Sequence, residues 1–147
     1  MSASIVPMTS ENAPIWAALC NALWPHNSEE EMLAAFANGE YDSEYLYALD
    51  GAYIAFVSLA VRNDYVEGKE GIKPVGYLEA IYVKPEYRRQ GIAKALVTFA
   101  REWSLARGCS MLASDCELEN KESRLFHNKV GFNEESINVH FKMTLGE

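Results

Sequence analysis

A basic segment containing a glycine lies between two apolar stretches: Arg88-Arg89-Gln90-Gly91-Ile92-Ala93. The stretch before it, residues 77–83, has strand character, and the stretch after it has helical spacing. The start of a helix leaves backbone N–H groups unpaired and carries partial positive charge. Gly91 allows close approach of the backbone to a ligand, and Arg88 and Arg89 add charge. The segment therefore predicts a phosphate site, with an ordinary basic helix start as the alternative. It is neither a Walker loop nor a Gly-x-Gly-x-x-Gly fingerprint.

Glu79 is an acidic residue within an otherwise apolar strand. Strict alternation places its side chain on one face with those of Tyr77 and Ile81. A buried carboxylate is costly unless it is paired, and a cationic substrate would supply that pairing. A salt bridge to Arg62 or Lys84, or simple exposure, are the alternatives.

Asp115 directly follows a short apolar strand, residues 111–114. Strand ends are frequent ligand positions in α/β sheets, although Asp is also a favoured helix N-cap. Trp24 and Tyr65 could stack on sugar faces, or they could be partly buried aromatics. The three histidines have no metal-like spacing, so no metal is predicted. No Gly-x-Ser-x-Gly motif or Cys/His pairing indicates covalent catalysis, so a covalent enzyme intermediate is not favoured.

Length and charge limit the class of protein. The 147 residues predict a single domain over 1–147, and the net charge of −8 argues against nucleic acid while it suits a cationic substrate. No stretch approaches the roughly 18 apolar residues of a membrane span. No signal peptide is predicted from Met1-Ser2-Ala3-Ser4. The three cysteines are interpreted as reduced core thiols of a cytoplasmic protein.

The pattern predicts the order β-α-α-β-β-β-α-β-α-β. A strand at Ile5 precedes a helix that is capped at Thr9 or Ser10 and runs to about Leu23. A second helix opens with the capping box Ser28-x-x-Glu31. The remaining predictions are strands at 45–49, 53–61, 75–83 and 111–114, helices from Gly91 to Gly108 and over 120–129, and one or two strands within 136–145.

The basic segment resembles the pyrophosphate-binding turn of the GNAT N-acetyltransferase superfamily, Arg/Gln-x-x-Gly-x-Gly/Ala, here Arg88-x-x-Gly91-x-Ala93. The element order matches the GNAT layout from end to end. The resemblance implies an α+β or α/β GNAT fold, with a mixed, mostly antiparallel twisted sheet flanked by about four helices. It also implies acetyl-CoA as the co-substrate and no metal.

Four further segments are similar to the aminoglycoside 6′-N-acetyltransferases, and the similarity covers essentially the whole chain. They are Leu23-Trp24-Pro25, Arg62-x-Asp64-Tyr65-Val66-x-Gly68, Leu78-Glu79-x-Ile81-Tyr82-Val83 and Ala113-Ser114-Asp115. The resemblance implies acetylation of the 6′-amine of a kanamycin- or tobramycin-like drug, with antibiotic resistance as the consequence. It also implies a homodimer built partly from C-terminal strands.

The resemblance also assigns roles to residues. Asp115 and Glu79 would guide the amine proton away, and the substrate site would comprise Trp24, Tyr65, Glu79, Asp115 and Ser136. The acetyl-CoA site would comprise Ile81, Tyr82, Val83, Arg88, Arg89, Gln90, Gly91, Ile92, Ala93, Lys94 and Asn120. The backbone N–H of Val83 is the candidate oxyanion donor.

The chain departs from that pattern at two positions. Ser136 stands where group members can have a substrate-facing glutamate, and His127 stands where many GNAT enzymes carry a tyrosine general acid. Two alternatives stay open. One is an acetyltransferase of a polyamine, another small amine or a protein N-terminus, and the other is a non-catalytic acetyl-CoA-binding domain.

Overall fold

The computed structural model of the chain describes residues 2–63 and 74–146. Its strands are β1 (Ala3–Pro7), β2 (Glu44–Leu49), β3 (Ala52–Arg62), β4 (Val75–Val83) and β5 (Leu112–Ser114). Its α-helices are α1 (Ala13–Leu23), α2 (Glu29–Ala37), α3 (Ile92–Ala106) and α4 (Lys121–Lys129). A short 3-10 helix, Pro85–Tyr87, was not predicted from the sequence.

The strands form one sheet in the order β1-β2-β3-β4-β5. Neighbouring strands are antiparallel except for β4 and β5, which are parallel. The predicted hairpin between β2 and β3 is confirmed, since Asp50 and Gly51 have φ of 50° and 86°. Positive φ at both central residues is the signature of a type I′ turn, whose twist matches that of the strands.

The start of α1 lies later than predicted. Asn12 occupies the N-cap position, and Pro14 lies in the first turn, where its missing N–H costs nothing. Thr9 instead precedes the helix, and its carbonyl accepts a hydrogen bond from the N–H of Ala13 (2.9 Å). The capping box of α2 is confirmed, because Ser28 and Glu31 exchange hydrogen bonds of 3.0 Å between side chain and backbone.

Two hydrophobic cores cover the two faces of the sheet. The α3 core packs Leu96, Ala100 and Trp103 on Val57 and Leu59 of β3. The α1 core packs Trp16, Cys20, Met32 and Leu46 around Phe56 of β3. Because Phe56 and Val57 are adjacent in the strand, their side chains enter opposite cores.

Gly76 allows α3 to lie close to β4. A Cβ atom at this position would lie 2.1 Å from the Ser104 hydroxyl oxygen of α3. Any side chain here would separate α3 from the sheet. This contact holds α3, the next α-helix after β4 in the chain, against the sheet.

The C-terminal segment differs from the prediction. Residues 133–146 contain no strand or helix, and each of them is exposed. The predicted final strands are therefore absent from the described single chain. The cysteine prediction is wrong for Cys116, which is exposed, while Cys20 and Cys109 are buried; all three thiols are free. No helix within the described residues is long and apolar enough to cross a membrane.

Candidate active site

The site begins where β4 and β5 separate. Their last paired residues are Leu78 and Ser114, although β4 continues to Val83. Among the described residues, no strand pairs with this far stretch of the β4 edge. The region beyond this last pair, between residues 79–83 of β4 and the end of β5, is called the opening.

Backbone groups of Ile81 and Val83 are directed toward this opening. The N–H of Lys84 donates to the carbonyl of Ile54 (2.9 Å), which fixes the alternation of the antiparallel β3–β4 ladder. By that alternation, the N–H and C=O groups of Tyr82 bond to Phe56 of β3, whereas those of Ile81 and Val83 are directed to the other edge. The carbonyl of Val83 accepts a hydrogen bond from Arg88 Nε (2.8 Å). The N–H of Val83 remains suitably placed to be the predicted oxyanion donor.

The basic turn between the 3-10 helix and α3 has the predicted form. Gly91, with φ of 82°, is the N-cap of α3, and Arg89 also has a left-handed φ of 64°. The first N–H groups of α3, at Ile92, Ala93 and Lys94, have no partners within the helix. Gln90 is exposed beside them, as are both arginines. Arg88 Cζ lies 5.5 Å from the ring centroid of Tyr82, so this arginine joins the turn to the strand end.

A β-bulge places Glu79 at the surface. Ser58 of β3 pairs with Ala80, while the next residue, Leu59, pairs with Leu78. Glu79 is therefore the extra residue of β4. The bulge breaks the strict alternation predicted for this strand, because Ile81 packs against the α3 core. Bulges commonly redirect a side chain, and here the Glu79 carboxylate becomes partly exposed.

Glu79 is paired with Arg62, as one of the sequence alternatives anticipated. Arg62 Nη2 donates to Glu79 Oε1 (3.1 Å) and Oε2 (2.9 Å), and each side chain is 36% exposed. The Arg62 guanidinium carbon also lies 3.6 Å from the ring centroid of Tyr77. At this exposure the ion pair adds little stability, so the pairing is compatible with exchange for a ligand cation.

Asp115 contacts Tyr77, not a helix terminus. The Tyr77 hydroxyl donates to Asp115 Oδ2. Burial, reinforced by the Asp115 carboxylate, raises the pKa of Tyr77, so that its phenol stays protonated. The alternative of Asp115 as an N-cap is wrong, because Asn120 caps α4 by accepting from the N–H of Ser123 (3.0 Å).

His127 lies at the point where the strands separate. Its Nδ1 donates to the carbonyl of Ser123 (2.7 Å), and its Nε2 is 2.8 Å from the hydroxyl of Ser114. The Ser114 hydroxyl also lies 3.1 Å from the carbonyl of Leu78. A hydroxyl can either donate or accept, so Nε2 keeps a partner in both of its protonation states. His127 is thus partly buried and lies next to the opening.

Two other predicted substrate residues, Trp24 and Ser136, lie in different parts of the described structure. Trp24 is the C-cap of α1, and its half-buried ring packs edge-on to Phe56 at 6.5 Å. Ser136 lies in the exposed C-terminal segment, and Tyr65 lies outside the described residues. Within the part of the chain that the structure describes, no group of acidic, histidine and cysteine side chains could hold a metal ion.

Two functional contacts were missed from the sequence. Tyr77 was noted only for its position in the alternation, and Arg62 only as a possible partner of Glu79. The relevant signal is the parallel pairing of Tyr77 with Ala113, which makes Asp115 the diagonal neighbour of Tyr77 on the same face. That register is fixed by the packing of β5 against β4, which sequence alternation does not specify.

Comparison with known proteins defines the class first. Residues 11–132 match the model of the acetyltransferase (GNAT) family. The chain therefore belongs to the GNAT acetyltransferase family, and within it to the type 1 aminoglycoside N(6′)-acetyltransferases. Such a protein from Serratia marcescens is 40% identical over 97% of this chain and 99% of its own length. A second, from Acinetobacter baumannii, is 34% identical over 97% of this chain and 99% of its own length.

Solved structures agree with this assignment. The aminoglycoside antibiotic 6′-N-acetyltransferase AAC(6′)-Ih from Acinetobacter baumannii has a TM-score of 0.90 and 34% identity, over 99% of this chain and 100% of its own. AAC(6′)-Iy, solved in complex with the bisubstrate analogue CoA-S-monomethyl-acetylneamine, has a TM-score of 0.89 and 30% identity, over 98% of this chain and 99% of its own. The predicted GNAT fold is confirmed.

Proposed function

We propose that this enzyme transfers the acetyl group of acetyl-CoA to the 6′-amine of an aminoglycoside, directly within a ternary complex, and so confers resistance by inactivating the drug. The main support for this proposal is that three features lie toward one end of the sheet. These are the unpaired β4 edge with the N–H groups of Ile81 and Val83, the basic start of α3, and the Asp115 and Glu79 carboxylates. The relatives named above are acetyltransferases of the same substrate class.

The opening between β4 and β5 suits the acyl donor. The pantetheine arm is an amide chain, and it can extend the sheet by pairing with the free backbone groups of Ile81, while the N–H of Val83 faces the acetyl end. Its pyrophosphate would then meet the N–H groups of α3 from Gly91 to Lys94, with Arg88 and Arg89 beside them. Asn120, at the start of α4, would donate a hydrogen bond to the pantetheine arm from its side-chain NH2 group, because its side-chain oxygen already caps the helix.

The chemistry needs a neutral amine and a polarised thioester. An aminoglycoside amine arrives protonated, and Asp115, together with Glu79, would bind the ammonium and accept its proton, directly or through water. The neutral amine nitrogen then forms a bond to the acetyl carbon, the carbon–sulfur bond breaks, and coenzyme A leaves as a thiolate. The amide nitrogen loses its extra proton and the thiolate takes up one proton, so the products are the acetylated drug and the free thiol of coenzyme A. The developing oxyanion would receive a hydrogen bond from the N–H of Val83. Trp24, Tyr65 and Ser136 would contact the rest of the drug.

The test compares acceptors that differ at one atom. Thiol release from acetyl-CoA is measured with kanamycin and with an analogue that carries a 6′-hydroxyl. We expect release with kanamycin and none above background with the analogue. Faster turnover of spermidine or of a short peptide would instead favour another acceptor. Absence of acceptor-dependent release throughout, despite acetyl-CoA binding, would favour a non-catalytic domain.

We also propose that the enzyme is a cytoplasmic homodimer. Acetyl-CoA is an intracellular metabolite and all three cysteines are free thiols, which supports the compartment. In the C-terminal segment, apolar side chains alternate with polar ones at the odd positions Ile137, Val139, Phe141, Met143 and Leu145. All five are exposed, with Phe141 at 91%. A strand-like apolar row without cover is typical of a surface that pairs with another chain, here a second copy.

A further inference from the structure

Four side chains form a continuous row across the acidic part of the site. The Glu79 carboxylate pairs with Arg62, the Arg62 guanidinium stacks on the Tyr77 ring, and the Tyr77 hydroxyl bonds to Asp115. The two carboxylates assigned to the amine are thus linked through an aromatic ring. The row spans strands β3 and β4 and the residue that follows β5.

The Tyr77 side chain is held in one orientation. It is only 7% exposed, and the Arg62 guanidinium covers one ring face at 3.6 Å. Arg62 is itself fixed by its two hydrogen bonds to Glu79. The Tyr77 hydroxyl is consequently held in a fixed position at the end of β5, in the absence of a ligand.

The Asp115 side chain is not held in place by a strand, a helix or surrounding core residues. It lies just beyond the last residue of β5 and is exposed, and α4 begins six residues later. An exposed carboxylate without a fixed partner samples several rotamers. The Tyr77 hydroxyl engages Oδ2, whereas Oδ1 has no partner among the described residues. One carboxylate oxygen is therefore anchored, and the other is available to a ligand.

We propose that Tyr77 is a positioning residue for acetyl transfer, which holds the Asp115 carboxylate with one oxygen directed to the acceptor amine. This inference rests on the proposed function, since it gives Asp115 its task there. Tyr77 does not touch the reacting atoms. It restricts the carboxylate to the orientation in which the proton of the bound ammonium can be removed.

The test is a double-mutant cycle on the full-length enzyme with kanamycin and acetyl-CoA. Tyr77→Phe removes one oxygen atom and keeps the ring beneath Arg62. We expect kcat to fall about 5- to 30-fold, with KM within about twofold, because the charge stays while its orientation is lost. In the Asp115→Asn background, Tyr77→Phe should change kcat by less than about twofold, since the group it positions is already disabled.

Tyr47→Phe on β2 is the matched control, because it removes a phenol oxygen from the same sheet two strands away from β4. It should leave kcat and KM unchanged, and all variants should melt within about 2 °C of the wild type. Unchanged kcat in Tyr77→Phe overturns the proposal. An equal loss of kcat in both backgrounds also overturns it, because it would indicate a general structural role. Full activity of Asp115→Asn refutes the role of Asp115, and inactivity of the wild type toward kanamycin refutes the proposed function itself.

Discussion

At the residue scale, Asp115 carries the sharpest chemical prediction. Asp115→Asn should lower kcat/KM for kanamycin at least tenfold, because the amide can neither balance the ammonium charge nor accept its proton. The melting temperature should change little, since Asp115 is exposed and does not cap α4. Steady-state kinetics and thermal melts measure both effects. Near-normal kcat/KM would contradict the catalytic assignment.

Two variants sharpen that comparison. Asp42→Asn neutralises another exposed aspartate, and it should leave kcat/KM unchanged. Glu79→Gln should weaken drug binding and release Arg62 from its ion pair. Its effect and that of Asp115→Asn should not add if both carboxylates bind one ammonium group.

Residue type and position drew attention to Asp115 and Glu79, because acidic groups at or in an apolar strand require an explanation. The resemblance to the acetyltransferases supplied their roles, which stay predictions. Their surroundings were not predictable in the same way. The bulge that exposes Glu79 depends on a register shift between Ser58 and Leu59, and the Tyr77 contact depends on the parallel pairing with β5. Both arise from long-range packing, which local pattern does not encode.

At the element scale, the start of α3 predicts how acetyl-CoA binding responds to charge. Arg88→Ala and Arg89→Ala should each weaken acetyl-CoA binding. Replacing the arginine that is better placed toward the pyrophosphate should remove roughly 1.5–3 kcal/mol of binding free energy, as for charged hydrogen bonds. Isothermal titration calorimetry measures this directly. Arg101→Ala, an exposed arginine farther along the same helix, is the control and should bind normally. Wild-type affinity in both turn variants would exclude a pyrophosphate site here.

A buried carboxyl group on β2 joins this strand to α1 and β3. Glu44 of β2 is only 5% exposed, and it accepts hydrogen bonds from Trp16 Nε1 of α1 (2.9 Å) and from the Ser58 hydroxyl of β3. Burial raises the pKa of Glu44 from 4.5 to about 7, although these hydrogen bonds oppose the shift. The folded state therefore retains a proton that the unfolded chain loses, between pH 4.5 and about 7.

The sign of the resulting pH dependence follows from linkage. Where the folded state binds more protons, the free energy of unfolding falls as pH rises. The contribution of Glu44 to the free energy of unfolding should thus be most favourable below pH 4.5. It should decrease by up to roughly 3 kcal/mol as the pH rises to 7. Glu44→Gln cannot ionise, and its amide can still accept from Trp16 Nε1 while its NH2 group donates to the Ser58 hydroxyl oxygen. Denaturant unfolding of both proteins between pH 5 and 8 should show a decline in the wild type that the variant lacks; parallel curves would contradict the assignment.

At the scale of the whole molecule, most of the architecture was predictable because the elements have strong local signals. The capping box at Ser28, the Asp50-Gly51 turn and the amphipathic α3 each indicate their structure within a few residues. The final strands are the exception. Their alternating pattern at 136–145 predicts extended pairing, yet the described single chain offers them no partner. A pattern can specify that a segment pairs without specifying which chain it pairs with.

The C-terminal segment therefore predicts the oligomeric state. A second copy that covers Ile137, Val139 and Phe141 would bury side chains that are otherwise in water, and each would contribute roughly 1.5–3 kcal/mol if fully buried. Sedimentation equilibrium should give a dimer for the wild type and a dissociation constant raised at least tenfold for Phe141→Gln. His140→Gln changes a neighbouring residue on the polar side of the alternation, so it should leave the dissociation constant unchanged. A wild type that stays monomeric at high micromolar concentration, or a Phe141→Gln variant that dimerises as tightly as the wild type, would refute pairing through this apolar row.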